Sequence, residues 1–123
     1  MASEAQHQAA VIKWSQQPAV RHRWPELALL HHIPNGGTRD PVEAKHLKQQ
    51  GVKRGVPDLC LPVPRGGFHG LYIEMKTEQG HASEEQRWWG DQLTNQGYCW
   101  SVCRGWEIAV HVIETYLEGE IHG

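Results

Sequence analysis

The segment Gly55–Lys76 has the sequence GVPDLCLPVPRGGFHGLYIEMK, a pattern that predicts a β-hairpin. Its second half, Leu71–Lys76, alternates apolar and polar residues, so as a strand it sends Glu74 and Lys76 to the same face. A short apolar run begins at Asp58, and the stretch between the two runs is rich in the glycine and proline of turns. Symmetric folding about the central glycines brings Asp58 across from Glu74 to Lys76, so both carboxylates reach one point.

Two carboxylates held this close repel each other, so one stays protonated unless a cation neutralises the pair. Ligation by oxygen alone suits Mg²⁺ or Mn²⁺, which take one or two protein carboxylates together with waters and phosphate oxygens. A lysine beside such an ion is placed to orient an attacking water or to stabilise charge on a phosphate. Hairpin geometry leaves an alternative open, in which Asp58 caps a turn while Glu74 and Lys76 form a solvated pair worth under about 1 kcal/mol.

The same residues resemble a known nuclease signature. Pro57–Asp58 followed by Glu74–Lys76 is similar to the PD-(D/E)xK motif of the restriction-endonuclease-like nucleases. Gly51–Gly55 resembles the Val-Arg-Arg element of the VRR-NUC family, with Lys53 where that family has an arginine. Three further segments match the small stand-alone VRR-NUC proteins of phages and bacteria: Pro34–Arg39, Gly70–Lys76 and Ser83–Gln86. The resemblance covers about residues 4 to 117.

This resemblance implies an α/β fold of the restriction-endonuclease type, with a central mixed sheet flanked by helices. It implies a Mg²⁺- or Mn²⁺-dependent DNA endonuclease in which Asp58 and Glu74 bind the metal, helped by the backbone carbonyl of Met75. A glutamate on the first helix completes the acidic cluster in the family, and Glu4 is the position that matches. Lys76 would assist the attacking water. Stand-alone members resemble Holliday-junction resolvases, so a homodimer acting on branched DNA is expected.

Two capping boxes place the remaining candidate site residues. Ser3 opens a helix that should run to about residue 16, with Glu4 on the same stripe as the apolar Val11. Ser83 opens another, in which Gln86 tends inward toward the lysine or a metal-bound water. Both residues have structural alternatives, because Glu4 suits the helix dipole and Gln86 completes its own cap.

The cations concentrate in one part of the chain. Residues 21–54 carry seven cations and three acids, a net +4, while the remainder carries −6. A phosphate-binding face and a solvated helix face explain this asymmetry equally well. Lys53 and Arg54 are expected near the scissile phosphate because Asp58 follows so closely. The candidate DNA contacts are Asn35, Arg39, Lys45, Lys48, Lys53 and Arg54.

Composition bounds the class of protein. A chain of 123 residues with 39% apolar residues is long enough for one domain, expected over residues 1–119 with a frayed tail at 120–123. No apolar run approaches a membrane span and no signal-peptide core is present, so a cytoplasmic location is expected. The three cysteines lack the spacing of a zinc site and are expected to be reduced. The spacing after His31 and His32 does not suit an HNH nuclease.

The predicted order of elements is helix, strand, helix, two-strand hairpin, helix, strand, helix. The apolar run 27–33 is most simply a strand, although a helical turn is the alternative. Trp88 and Trp89 are expected in the core or at an interface. Two other functions remain open: a flap- or nick-directed repair nuclease, and a DNA-binding module that keeps the fold without the chemistry.

Overall fold

The sheet that the hairpin predicts is present, with four strands. The structure is a computed structural model that describes residues 1–123 in full. The strands are β1 (His31–His32), β2 (Leu59–Leu61), β3 (Leu71–Lys76) and β4 (Cys99–Arg104), in that spatial order. The pairs β1–β2 and β2–β3 are antiparallel, whereas β3 and β4 are parallel. The predicted α/β fold with a central mixed sheet is therefore confirmed.

The chain forms five α-helices, three of which pack on the sheet. They are α1 (Glu4–Ser15), α2 (Pro18–Arg23), α3 (Pro41–Gln49), α4 (Glu84–Asn95) and α5 (Trp106–Leu117). Helices α1 and α5 pack against each other and against β3, and α5 also packs on β4. Helix α4 packs on β4 from the side that carries Glu74, to which it donates a hydrogen bond. None of the helices has the length and apolar character that crossing a membrane requires.

The alternation of apolar and polar residues along β3 determines which side chains lie on each face of the sheet. Leu71, Ile73 and Met75 are fully buried in the core, together with Val11 of α1 and Ile113 of α5. The opposite face is also covered, so Glu74 and Lys76 are buried too. The alternative of a solvated Glu74–Lys76 pair is therefore wrong, because α4 and the loop before it close over this face of the strand.

Several sequence predictions about helix ends are confirmed. Ser3 and Ser83 both form complete capping boxes, so α1 and α4 begin where the sequence places them. Helix α3 begins at Pro41, and its Asp40 side chain accepts hydrogen bonds from the first-turn N–H groups. Helix α2 has no counterpart in the predicted order of elements; Pro18 occupies its first position, where the missing N–H of proline costs no hydrogen bond.

The apolar run 27–33 is a strand only at its end. Pro25–Leu29 forms a 3₁₀ turn, in which Leu30 N–H bonds to the Leu27 carbonyl. Only the two residues of β1 then remain to pair with β2. The strand prediction is wrong for the first half of this run, because a proline at its start favours helical dihedral angles.

The carboxyl-terminal residues 120–123 have contacts of their own. Ile121 is partly buried against the core, and the Gly123 N–H donates to the Gly66 carbonyl at 3.1 Å. These residues lie on the turn of the hairpin. The predicted fraying concerns motion and stays a prediction.

Gly90 on α4 offers a test of how α4 packs on the sheet. A Cβ atom there would collide with the indole ring of Trp100 on β4. We expect Gly90→Ala to lower the free energy of unfolding by about 1–3 kcal/mol, because a rigid ring and a helix backbone must move apart. This reverses the usual gain from replacing a helical glycine by alanine. Urea denaturation measures the change.

Gln92→Ala is the matched control, since Gln92 is exposed on the same helix. Its effect should stay within about 0.5 kcal/mol. Equal stability of the Gly90→Ala variant and the wild type would contradict the close packing of α4 on β4.

Candidate active site

The hairpin register brings Asp58 to β3. Leu59 pairs with Ile73, so Asp58 lies beside Glu74 at the point where β2 begins. The Met75 N–H, beyond the last residue paired with β2, donates to Asp58 Oδ2 at 2.7 Å. The Asp58 carboxylate thus replaces a ladder acceptor. This bond fixes its position beside β3.

Glu74 is the buried member of the acidic pair. Its side chain is 1% exposed, and its Oε2 accepts from Gln86 Nε2 at 3.4 Å. The other oxygen, Oε1, is buried without a hydrogen-bond partner. Burial raises the pKa of Glu74 from 4.5 to about 9, helped by the neighbouring Asp58 carboxyl group and, to a smaller extent, by the charge of Glu4. The Lys76 charge opposes this rise in pKa.

Lys76 supplies the positive charge of the cluster. Its Nζ lies 4.0 Å from Glu74 Oε2, and its side chain is 9% exposed. The backbone at Gly80 lies against the lysine stem, where a Cβ atom would be 3.2 Å from the Cβ of Lys76. Arg104 fixes this loop, because its Nε donates to the Gly80 carbonyl at 2.9 Å. The loop 77–82 therefore excludes water from the lysine.

The paired carboxylates fit a divalent cation. As a carboxylate, Glu74 has one buried oxygen without a donor, and either a proton or a cation satisfies it. A hard ion that takes one or two carboxylates and keeps its waters suits Asp58 and Glu74. No cluster of three or more acidic, histidine or cysteine side chains is close enough to hold a metal. Glu4 is exposed at the start of α1 and acts on Glu74 through its charge.

Gln86 completes its own cap, as the sequence predicts, and its amide nitrogen contacts Glu74 instead of the lysine. Its Oε1 accepts from the Ser83 N–H at 2.8 Å, which completes the capping box. Its Nε2 reaches Glu74. The cap therefore orients the amide, and the start of α4 is tied directly to the buried acid.

A cleft of about 770 Å³ opens beside this cluster and shares Gln86 with it. The loop after β1, helix α3, the loop before β2 and the start of α4 form its walls. Three cations and one acid, Glu85, line it. Four of the six predicted DNA contacts are among its residues: Asn35, Lys48, Lys53 and Arg54. Arg39 and Lys45 are exposed and lie outside this lining.

Two residues that hold the cluster in place, His32 and Arg104, are not among the predicted site residues. The carbonyl of Asp58 accepts a hydrogen bond from His32, and the loop over Lys76 depends on Arg104. Neither contact has a local sequence signal, because each joins residues more than 20 positions apart. Met75 contributes its N–H to the site, and its carbonyl stays a predicted ligand.

Comparison with known proteins agrees with this geometry. The model of the VRR-NUC domain matches residues 2–107. The chain belongs to the VRR-NUC family. A solved structure described as a VRR_NUC domain protein is 33% identical, covers 97% of this chain and 91% of its own, and superposes with a TM-score of 0.79. The search of curated proteins found no match. The VRR-NUC domain makes this protein a nuclease, with DNA as the implied substrate.

The buried acid predicts a pH-dependent stability for the metal-free VRR-NUC domain. The pKa of Glu74 is about 9 in the folded chain and 4.5 ordinarily, so the unfolded chain releases this proton first as the pH rises. Stability therefore falls between these two values, because the folded state binds more protons there. We expect Glu74→Gln to melt higher than the wild type at pH 8 in EDTA, with a smaller difference at pH 5.

Thermal denaturation in EDTA at both pH values measures this difference, and Glu78→Gln, an exposed acid two residues after Lys76, is the control. Addition of Mg²⁺ should stabilise the wild type more than Glu74→Gln. A melting temperature of Glu74→Gln that follows the wild type at both pH values would show that Glu74 is not protonated in the folded protein.

Proposed function

We propose that the protein is a divalent-metal-dependent, structure-specific DNA endonuclease that cleaves four-way junctions as a homodimer. One observation carries this proposal. Asp58 and the buried Glu74 form a carboxylate pair with Lys76 Nζ 4.0 Å from Glu74, and Gln86 links this cluster to a cation-lined cleft. Paired acids, one ammonium and an adjacent phosphate-binding surface are what hydrolysis of a phosphodiester requires.

Asp58 and Glu74 would hold Mg²⁺ or Mn²⁺, together with the Met75 carbonyl and with Glu4, directly or through water. When bound, the ion neutralises the acidic pair, favours a deprotonated water and offsets charge on the phosphate. The Met75 N–H keeps Asp58 in place, and the Gln86 amide keeps Glu74 in place. These two contacts leave both acids with fixed geometry before substrate arrives, which lowers the cost of binding the ion.

Lys76 acts on the attacking water and on the phosphate. Its ammonium is held in a nearly dry site by the loop 77–82, where an electrostatic interaction is stronger than in water. The water loses one proton to solvent as its oxygen forms a bond to phosphorus, the bond from phosphorus to the 3′ oxygen breaks, and the 3′ oxygen takes a proton from solvent. The products are a 5′-phosphate and a 3′-hydroxyl, as the family resemblance implies.

The cleft would hold the DNA backbone on the side of Gln86. Lys48, Lys53 and Arg54 give it positive charge, although the whole chain has a net charge of −2. Lys53 supplies charge where the family has an arginine, without the two-pronged hydrogen bonding of a guanidinium. Phosphate contacts of this kind position the duplex and carry no sequence information, which suits recognition by shape.

Symmetry supports the choice of a junction. A four-way junction has two equivalent scissile phosphates, so a two-fold homodimer brings one active site to each of them. A flap or a nick has only one. The same cluster would then cut once, and a homodimer would give no advantage.

Cleavage of labelled substrates tests the proposal. We expect paired, symmetric cuts in a four-way junction in Mg²⁺ or Mn²⁺, none in EDTA, and weak cutting of a 5′-flap and a linear duplex. Asp58→Ala and Lys76→Ala should each lower the rate by at least about 100-fold, because each removes a group that acts on the reacting atoms. Lys13→Ala, an exposed lysine of α1, is the control.

Cuts confined to the flap would replace the junction proposal by the repair-nuclease alternative. Binding without metal-dependent cutting would indicate the non-catalytic module. Sedimentation that shows only monomer, with and without junction DNA, would contradict the homodimer.

The cleft residues are tested by the salt dependence of DNA binding. We expect Lys53→Ala and Lys48→Ala each to weaken binding and to reduce the slope of log K against log salt by about 0.9 per lost phosphate contact. Lys45→Ala should leave the slope unchanged, because Lys45 lies on α3 outside the cleft lining. Fluorescence anisotropy with Ca²⁺ in place of Mg²⁺ measures binding. An equal effect of Lys45→Ala would mean that the cleft does not hold the backbone.

A further inference from the structure

The backbone carbonyl of Asp58 accepts two hydrogen bonds, one from His32 of β1 and one from the residue that follows it. The Ile33 N–H donates at 2.8 Å, and His32 Nδ1 lies at 2.8 Å from the same oxygen. A carbonyl only accepts, so Nδ1 of His32 carries the proton.

These bonds hold Asp58 from the side opposite to its carboxylate. The carboxylate oxygen accepts from the Met75 N–H at 2.7 Å, while β1 holds the carbonyl. Asp58 therefore lies between an edge strand and β3, with both of its polar ends fixed. Its χ angles have little freedom left, and the carboxylate faces Glu74 in one geometry.

This fixation depends on a short element. Strand β1 has two residues, and its regular pairing ends with His32 opposite Leu59. Asp58 comes one residue before β2, at the place where a sheet end opens most easily. The Ile33 N–H and the ring of His32 together extend the contact of β1 by one residue, from Leu59 to Asp58, and the ring supplies the side-chain half of this contact.

We propose that His32 is a positioning residue for Asp58, whose carboxylate binds the metal in the proposed function. The proposal rests on that function. Mg²⁺ tolerates little departure from octahedral geometry, so a ligand carboxylate that moves relative to Glu74 binds it less well. Outer contacts of this kind commonly change metal affinity or activity by roughly 10–100-fold when they are lost. Because the ring touches only the backbone of Asp58, it acts through that residue.

The chain provides a matched control in His31. It is the other residue of β1, it is exposed like His32, and its Nδ1 contacts the Leu29 carbonyl at 2.9 Å instead. Loss of either ring perturbs the same edge strand. Only loss of His32 removes a contact to Asp58.

The experiment compares His32→Leu, His32→Asn and His31→Leu. Leucine and asparagine have nearly the same shape, but only the amide nitrogen of asparagine replaces the donor at Nδ1. Calorimetry measures Mn²⁺ binding to the DNA-free protein. Cleavage of the four-way junction is measured against Mn²⁺ concentration.

We expect His32→Leu to weaken Mn²⁺ binding roughly tenfold and to raise the Mn²⁺ concentration for half-maximal cleavage by the same factor. The rate at saturating Mn²⁺ should return close to that of the wild type, because Asp58, Glu74 and Lys76 are all still present. His32→Asn should retain most of the affinity. His31→Leu should match the wild type.

Three results would overturn the inference: unchanged Mn²⁺ affinity in His32→Leu, an equal loss in His31→Leu, or no recovery in His32→Asn. If His32→Leu is unfolded, His32→Ala takes its place, and an unchanged Mn²⁺ affinity in that variant contradicts a positioning role. A wild type that binds no Mn²⁺ and cuts nothing would instead overturn the proposed function. A wild type that cuts with metal, beside an unaffected His32→Leu, would overturn the positioning role alone.

Discussion

The contact between the Glu74 and Asp58 carboxyl groups is the constraint on which the rest of the site depends. Taking two acids out of water next to each other is unfavourable, and Glu74 is almost fully buried. The cost is offset elsewhere on the same strand, where Leu71, Ile73 and Met75 are buried in the core. Strand β3 therefore stabilises the fold with one face and holds an unfavourable charge pair with the other.

The charge of the Glu74 carboxylate can be neutralised in two ways, by a proton or by a cation. The raised pKa of Glu74 means that the folded protein favours a proton on this group. A cation would instead satisfy the buried oxygen Oε1, which has no hydrogen-bond donor. Lys76 alone does not neutralise the acidic pair, because its ammonium lies 4.0 Å from one oxygen of Glu74. A cation that bound here would displace a proton from Glu74, so its binding would depend on pH. The chemistry of the site follows from an acid pair that the fold leaves incomplete.

The sequence predicted the parts of this site that depend on local pattern. Alternation and the turn between the strands fixed the hairpin register, so Asp58 was correctly expected beside Glu74. The capping box at Ser83 located Gln86. Contacts between distant segments have no such pattern. The bond of His32 to Asp58 depends on which edge pairs with β2, and the burial of Lys76 depends on a loop held by Arg104. The position of Lys45 outside the cleft lining likewise depends on how α3 is oriented.

The catalytic cluster and the cleft differ in how firmly the fold holds them. The acids and the lysine lie on a strand paired on both sides or next to it, with hydrogen bonds to their neighbours. One wall of the cleft is α3, which contains no buried residue. Few buried contacts give a segment low local stability, so the wall of the cleft is the part that opens at least cost. The proposed function would use this division, because the reacting phosphate requires one geometry, whereas the backbones of branched DNA would approach it from different directions.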